Sequence, residues 1–521
     1  MTPASPPDPA GTDTPARPSL RRLLTETDRF VTVAELVPGR GTSEGEPDER
    51  VRSLVRALAV HPRIDAVSVT DNAGGNEMLP PDGLAAELRE GGQQVIVHVA
   101  CKDRTRDELG NRGRELAAGG FENVLCLSGD YPVDGYEDRA GPVFDVDSVG
   151  LLWMYSELGT FFLGAVVTNH KRLEREVMPQ YFKLRKKIEN GAAFVINQVG
   201  YHARKDDELL RWMELNGLDV PVLANVYVLS AGTARVFHSG RIPGVVVTDE
   251  LLAVCEREAA APDKGRSFFL ELAAKQVAIA RGLGFRGAYL GGRLEPGDYD
   301  EILDRAGAFA PDDWRSFARE VQYPYPYEFH YFERDEETGL SSNEVNREYL
   351  ASLTDEGRRR LRRRVALAYK LNRRVHDAVF EPGASLFGAG RSFYSAVERG
   401  PKGIQKALHG LEHLAKQAMF ACQDCGDCSL PEIAYLCPES QCVKNQRNGP
   451  CGGTRQGLCE IGEKECIWAR AYDRLKAYGK ETTMLDGPAV VKDGSLRGTS
   501  AWANTFLGRD HAARDRGDDA G

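Results

Sequence analysis

Between residues 30 and 292, short apolar runs alternate with longer stretches in which apolar residues recur every three or four positions. The runs are "FVTVAELV" from Phe30, "IDAVSVT" from Ile64, "QVIVHVA" from Gln94, "NVLCLSG" from Asn123, "FFLGAVV" from Phe161, "AAFVINQ" from Ala192, "VPVLANVYVL" from Val220 and "FRGAYLGG" from Phe285. Their nearly continuous apolar character predicts strands covered on both faces, as in a parallel sheet. Stretches such as "DERVRSLVRALAVH" and "LEREVMPQYFKLRKKIENGA" carry a helical period. Eight strand–helix units predict an α/β fold, a (β/α)8 TIM barrel over residues 21–311. A doubly wound open sheet is the competing arrangement, but no Gly-x-Gly-x-x-Gly follows the first strand.

Past Pro311 the alternation stops. Residues 312–420 carry a largely helical pattern opened by the aromatic segment "YPYPYEFHYF", and residues 421–511 form a small cysteine-rich domain. Residues 1–20, rich in Pro, Ala and Thr, and residues 512–521 read as disordered tails. The first tail lacks an apolar h-region, so it does not read as a signal peptide, and the expected location is cytoplasmic. No run of about 18 apolar residues occurs, so no membrane span is expected. The net charge of −10 weighs against nucleic acid as a partner. The run "RRRLRRR" at Arg358–Arg364 reads as a solvated helix face.

In a barrel of this kind, chemistry collects at the C-terminal ends of the strands. In this chain those ends carry Glu35; Thr70, Asp71 and Asn72; His98; Ser128, Gly129 and Asp130; Thr168, Asn169 and His170; Gln198; and Asn225 with Tyr227. Asp130 could simply cap the next helix, and His98 could be a satisfied core residue. Cys101 and Cys126 read as buried thiols. Glu35 is harder to account for structurally. A carboxylate inside the apolar "VAELVP" needs a partner or a raised pKa, and the second is the profile of a general acid.

Eight of the eleven cysteines fall between Cys422 and Cys466. Where thiols stay reduced, such density points to metal before disulfides. Cys422, Cys425 and Cys428 form C-x2-C-x2-C, and Cys437 stands directly before Pro438, a spacing that holds many 4Fe-4S clusters. Cys442, Cys451, Cys459 and Cys466 could supply a second site. Structural zinc is the alternative, although its sites usually come as two C-x2-C pairs and this region has no second tight pair.

Read in order, "AE-x-x-P", "VSVT", "H-x-x-C", "SGD-x-P" and "K-x-x-x-GA-x-F-x-x-NQ" resemble the methylenetetrahydrofolate reductase barrel, over roughly residues 30–310. The resemblance implies a flavin lying across the barrel mouth and reduction of 5,10-methylenetetrahydrofolate to 5-methyltetrahydrofolate. It casts Glu35 as the acid that protonates the folate nitrogen, Asp130 as the acid between flavin and folate, and Gln198 as a folate contact. Thr70, His98, Ser128 and Gly129 match flavin contacts, and Lys187 matches a lysine that reaches the flavin phosphates. The chain also departs from the well-known bacterial reductases. "VVTNHKR" replaces a Tyr-Pro-Glu segment, Ser128 stands where Arg is frequent, and Gln180 and Lys183 replace a phosphate-side Asp and Asn. These departures leave FMN open beside FAD, and leave open whether the donor is NAD(P)H or a ferredoxin-like protein.

"C-x-x-CGDC-x-L", "CPE-x-x-C", "RNGPCGG" and "CE-x-x-x-x-x-C-x-W" resemble the C-terminal domain found with a subset of these reductases, a likeness that runs to near His511. As an iron–sulfur module this domain would relay electrons to the flavin; as a zinc module it would brace the fold. Two other readings stand beside the reductase: a folate-binding methyltransferase-type barrel, and a folate-pathway adaptor with a structural zinc domain. Assembly into a homo-oligomer is compatible with any of them.

Overall fold

The computed structural model describes residues 17–515, except 42–44, 46, 76, 133–141, 463 and 486. The tails expected at residues 1–20 and 512–521 therefore lie mostly outside the described residues. Eight strands form the centre: β1 (Val31–Leu36), β2 (Ala66–Val69), β3 (Gln94–Ala100), β4 (Asn123–Leu127), β5 (Phe162–Val167), β6 (Phe194–Asn197), β7 (Val222–Val228) and β8 (Gly287–Gly292). They pair in chain order and in parallel, and β8 returns to β1 to close a barrel. Each apolar run read as a strand contains one.

The strands are apolar on both faces because both are covered. In β3, Val95, Val97 and Val99 point outward to the helices, while Ile96 joins Val33, Leu125, Phe162, Phe194 and Leu223 inside the barrel. The short helix Leu20–Thr25 stoppers the N-terminal end of the barrel, with Leu20, Leu23 and Leu24 in that same inner cluster. The opposite end is left free for chemistry.

Residues 312–420 hold the helices Asp313–Glu320, Arg347–Leu353, Asp355–Arg364, Leu367–Val379, Phe387–Arg399 and Lys402–Phe420. They also hold an antiparallel hairpin, β9 (Phe332–Arg334) and β10 (Ser341–Val345), that the helical reading of this region did not include. Asp335 builds its turn by accepting the Glu337 and Thr338 N–H groups at 2.9 Å, and Asp207 fixes β10 by accepting the Ser341 N–H at 2.8 Å. The helix Asp355–Arg364 buries no residue, so its arginines form a solvated face, apart from Arg358, which pairs with Glu481, and Arg362, which lies over the Tyr478 ring. Among the described residues, no helix is long and apolar enough to cross a membrane.

The cysteine region is mostly irregular chain followed by the helix Ile467–Lys476. That helix packs on the barrel helix Glu174–Glu189, and Trp468, Tyr472 and Leu475 share one core cluster with Tyr181, Phe182 and Val195. Tyr472 also donates to Glu174 at 2.6 Å. The cysteine domain is thus joined to the barrel through a common core.

Candidate active site

The C-terminal ends of the strands surround a cavity of about 1670 Å³, including its open mouth. Glu35, Thr70, His98, Ser128, Gly129, Asp130, Lys187 and Gln198, the barrel residues singled out from the sequence, all line it. Glu35 reaches it from β1, and Tyr289 on β8, which sequence reasoning missed, donates to its Oε1 at 3.3 Å. Burial pushes the Glu35 carboxyl up to about 7, with the Tyr289 hydroxyl and the Gly292 N–H pulling the other way. At neutral pH this group can therefore hold or release a proton.

His98 sits 2.7 Å from Ser68 Oγ. Burial lowers its pKa to about 4, against the pull of Asp71, so the ring is neutral. Among the described residues, the next helix after Asp130 is Ser148–Ser156, and Asp147 rather than Asp130 caps it. Burial raises the Asp130 carboxyl, and the Lys444 ammonium, 3.8 Å from Oδ1, opposes that shift. Lys187 comes from the helix Glu174–Glu189 and donates to the Val166 carbonyl at 2.5 Å. Burial, and then the neighbouring Lys183, lower its pKa to about 7, so an anion in the cavity would restore its charge.

Thr70 Oγ1 and Gln180 Nε2 are buried in this wall with no hydrogen-bond partner. Unpaired polar atoms in a large cavity call for a polar ligand. Together with an under-compensated ammonium, they suit a ligand that has both a hydrogen-bonding edge and an anionic group. A flavin phosphate has both, so the residues present fit the group.

The wall is completed by Cys451, which sequence reasoning assigned to metal binding alone, and by Gly452 and Gly453 of the cysteine domain. Lys171 donates to the carbonyls of Gly452 and Thr454 at 2.6 and 2.5 Å. Lys183 donates to Gln446 Oε1 at 2.9 Å and to the Gly449 carbonyl at 3.2 Å. Ser128 donates to the same Gln446 oxygen at 3.1 Å. Asp147 caps its helix and also accepts the Arg447 and Asn448 N–H groups at 3.2 and 2.9 Å. Gly452, at φ +93°, lies so close that a Cβ there would sit 2.5 Å from Thr168 Oγ1, with Gln180 Nε2 at 3.8 Å. Residues at every departure from the bacterial pattern, Ser128, Lys171, Gln180 and Lys183, thus face segment 446–454. The departures themselves were the signal that could have located this contact.

The cysteines fall into two groups. Cys422, Cys425, Cys428 and Cys437 line one cavity of about 440 Å³ with Lys416 and Arg447, and Lys416 Nζ is 3.6 Å from Cys428 Sγ. Cys442, Cys451, Cys459 and Cys466 face one another beside the barrel mouth. Backbone N–H groups of Asp424, Gln446 and Gly453 point at the sulfurs of Cys422, Cys442 and Cys451 at 3.4–3.5 Å. Burial pushes the thiols of Cys428 and Cys442 up to about 12. Such groups become thiolates only against a cation or a metal.

Two family models match the chain. One, described as methylenetetrahydrofolate reductase, covers residues 20–282, and one, described as methylene-tetrahydrofolate reductase C terminal, covers residues 402–493. The 5,10-methylenetetrahydrofolate reductase of Salmonella typhimurium is 26% identical over 220 residues, which is 41% of this chain and 70% of the relative. That of Pectobacterium carotovorum is 24% identical over 220 residues, with the same coverage of 41% and 70%. Among solved structures, an uncharacterized Clostridium thermocellum protein that binds two copies of 5-methyl-5,6,7,8-tetrahydrofolic acid aligns at TM-score 0.41 and 12% identity, covering 54% of this chain and 95% of that one. That likeness is too distant to carry weight.

Proposed function

We propose a reaction from one premise: the chain belongs to the methylenetetrahydrofolate reductase family, a family of oxidoreductases of folate metabolism. The reaction is reduction of 5,10-methylenetetrahydrofolate to 5-methyltetrahydrofolate, with a flavin in the barrel cavity and electrons arriving through the cysteine domain. The observation that carries it is the convergence of Glu35, Asp130 and Gln198 on one cavity, with the Glu35 carboxyl pushed up to about 7. Glu35 holds a proton at neutral pH and gives it to the folate nitrogen, which opens the five-membered ring. Tyr289 fixes the carboxyl in place, and Gln198 orients the folate. Thr70 and neutral His98 offer hydrogen bonds to the cofactor edge, and Lys187 pairs with a phosphate. Bound there, a flavin supplies the hydride that the methylene carbon accepts.

Two further readings have structural support. Gln180 and Lys183, the positions that the family resemblance puts on the phosphate side, lie under segment 446–452. That arrangement favours a flavin ending at one phosphate, FMN, over FAD. The cysteine groups favour iron–sulfur over zinc. Four thiolates about 2.3 Å from one zinc ion stand only about 3.8 Å apart. Among the described residues, no three cysteine sulfurs lie within 4.8 Å of one another. The wider spacing suits a larger cluster, whose irons would pass single electrons. Lys416 and Arg447 would offset its thiolate charge.

The test is an anaerobic spectrum, followed by the mass of the released chromophore and by single-turnover kinetics. The expected protein is brown-yellow, releases FMN, and is reoxidised by methylenetetrahydrofolate once chemically reduced. A colourless protein that binds methyltetrahydrofolate without redox chemistry would overturn the reading.

A further inference from the structure

Away from the barrel cavity, three side chains with ligand chemistry meet in the interior. His202 stands directly before the helix Ala203–Leu215, and Glu328 and His330 come from the aromatic segment 323–332. His202 Nε2 lies 3.3 Å from Glu328 Oε2, and His330 Nε2 lies 3.5 Å from the same oxygen. One ligand atom from each residue falls within 4.8 Å of the other two. His202 is 4% exposed and His330 8%, and the Glu328 side chain is 5% exposed.

These groups are not paired as hydrogen-bonding partners would be. Both ring nitrogens of His202, Nδ1 of His330 and Oε2 of Glu328 are buried with no hydrogen-bond partner. An imidazole bonded to a carboxylate closes to about 2.7–2.9 Å. Here the atoms stand off at 3.3 and 3.5 Å. Ligands held about 2.0–2.1 Å from a tetrahedral zinc ion are about 3.4 Å apart. The two histidine–glutamate spacings are therefore those of donors around an ion, and the third pair lies within 4.8 Å.

The surroundings agree. Glu208 Oε2 stands 3.5 Å from His330 Nδ1, near enough to take the outer position behind the imidazole once the ring is ligated. The Lys205 ammonium pairs with Glu208 Oε1 at 3.1 Å.

We propose that His202, Glu328 and His330 bind a divalent cation of the zinc class, which fastens segment 323–332 to the end of the barrel. Three protein ligands leave a fourth position for water. The clasp also bears on the active site. Asp206, in the first turn after His202, accepts from Asn197 Nδ2 at 2.7 Å, and Asn197 directly precedes Gln198 in the cavity wall.

The full-length protein, stripped with a chelator, is titrated with Zn²⁺, and the bound metal is examined by elemental analysis and zinc K-edge X-ray absorption. The expected result is one equivalent per chain in a shell containing nitrogen and oxygen at about 2.0–2.1 Å. His202→Gln and His330→Gln should each lose that equivalent, with iron and labile sulfide unchanged. No zinc uptake by the parent protein overturns the proposal. So does a shell of sulfur alone that persists in both variants. Because the absorption measurement uses the parent protein, misfolding of a variant leaves the test intact.

Discussion

A carboxyl group buried beside Tyr289 and the Gly292 backbone keeps its proton at a pH where an exposed glutamate has lost it. Since the folded pKa of Glu35 is raised from 4.5 to about 7, its favourable contribution is complete below about 4.5 and is lost as pH rises through 7. Glu35→Gln removes the ionised form. The variant should be more stable than the parent by about 1–3 kcal/mol at pH 8 and indistinguishable below pH 4.5, as read by thermal melts across that range. Reoxidation of the reduced protein by methylenetetrahydrofolate should slow by about 10²–10⁴-fold, while reduction by an artificial donor stays at the parent rate. Equal reoxidation rates would reduce Glu35 to a strand-end residue. Lys187→Ala removes the only contact proposed for the flavin phosphate that carries charge. A fluorescence titration should show flavin affinity weakened by about 1.5–3 kcal/mol. Unchanged affinity would place the phosphate elsewhere.

The decisive element at the mouth is the segment 446–454, an irregular stretch with no regular secondary structure to hold it. Such a stretch stays in place through contacts made by other elements. Lys171, after β5, supplies two charge-assisted bonds, and Asp147 clasps the backbone from the start of the helix Ser148–Ser156, before β5. Two glycines make the close approach possible: Gly449, at φ +118°, lies against the Lys183 stem, and Gly452 lies against Thr168. Lys171→Met keeps most of the apolar stem and loses both bonds, each worth about 1.5–3 kcal/mol. Hydrogen exchange of residues 446–458 should accelerate at least about tenfold, with the eight strands unaffected. Unaltered exchange would show that Asp147 and Lys183 suffice. The strands were legible because an apolar run that holds a strand of four to seven residues is a local signal. The hairpin β9–β10 was not, because its register depends on Asp207, more than 100 residues earlier in the chain.

At the scale of the whole molecule, the barrel and the cysteine domain share a core cluster, and the group with Cys451 borders the barrel cavity. The group with Cys425 lies farther out, among Lys416, Phe420 and Ala501. That order, outer group, inner group, cavity, is the one the proposed relay would use. Cys425→Ser should lower iron and labile sulfide. It should also cut turnover with a ferredoxin-like donor far more than turnover with a small reductant that reaches the flavin directly. Equal loss with both donors would assign the domain a bracing role, and zinc without iron in anaerobic protein would remove the relay altogether.

The amino-acid sequence by itself determined the barrel, because eight apolar runs buried on two faces have few other ways to be covered. It also marked which residues stand at strand ends and which cysteines lie close together, since both are matters of short spacing. Glu35 was legible for the same reason: one carboxyl in an apolar strand is a local anomaly. Only the tertiary structure decided what meets across the chain. Lys171 and Gly452, Ser128 and Gln446, and His202 with Glu328 and His330 are separated by more than 100 residues in each case, and a lysine bonded to a distant carbonyl leaves no pattern in its own neighbourhood. The first two of those contacts turn two domains readable separately into one cavity wall, because long-range pairing is set by how the packed elements approach one another.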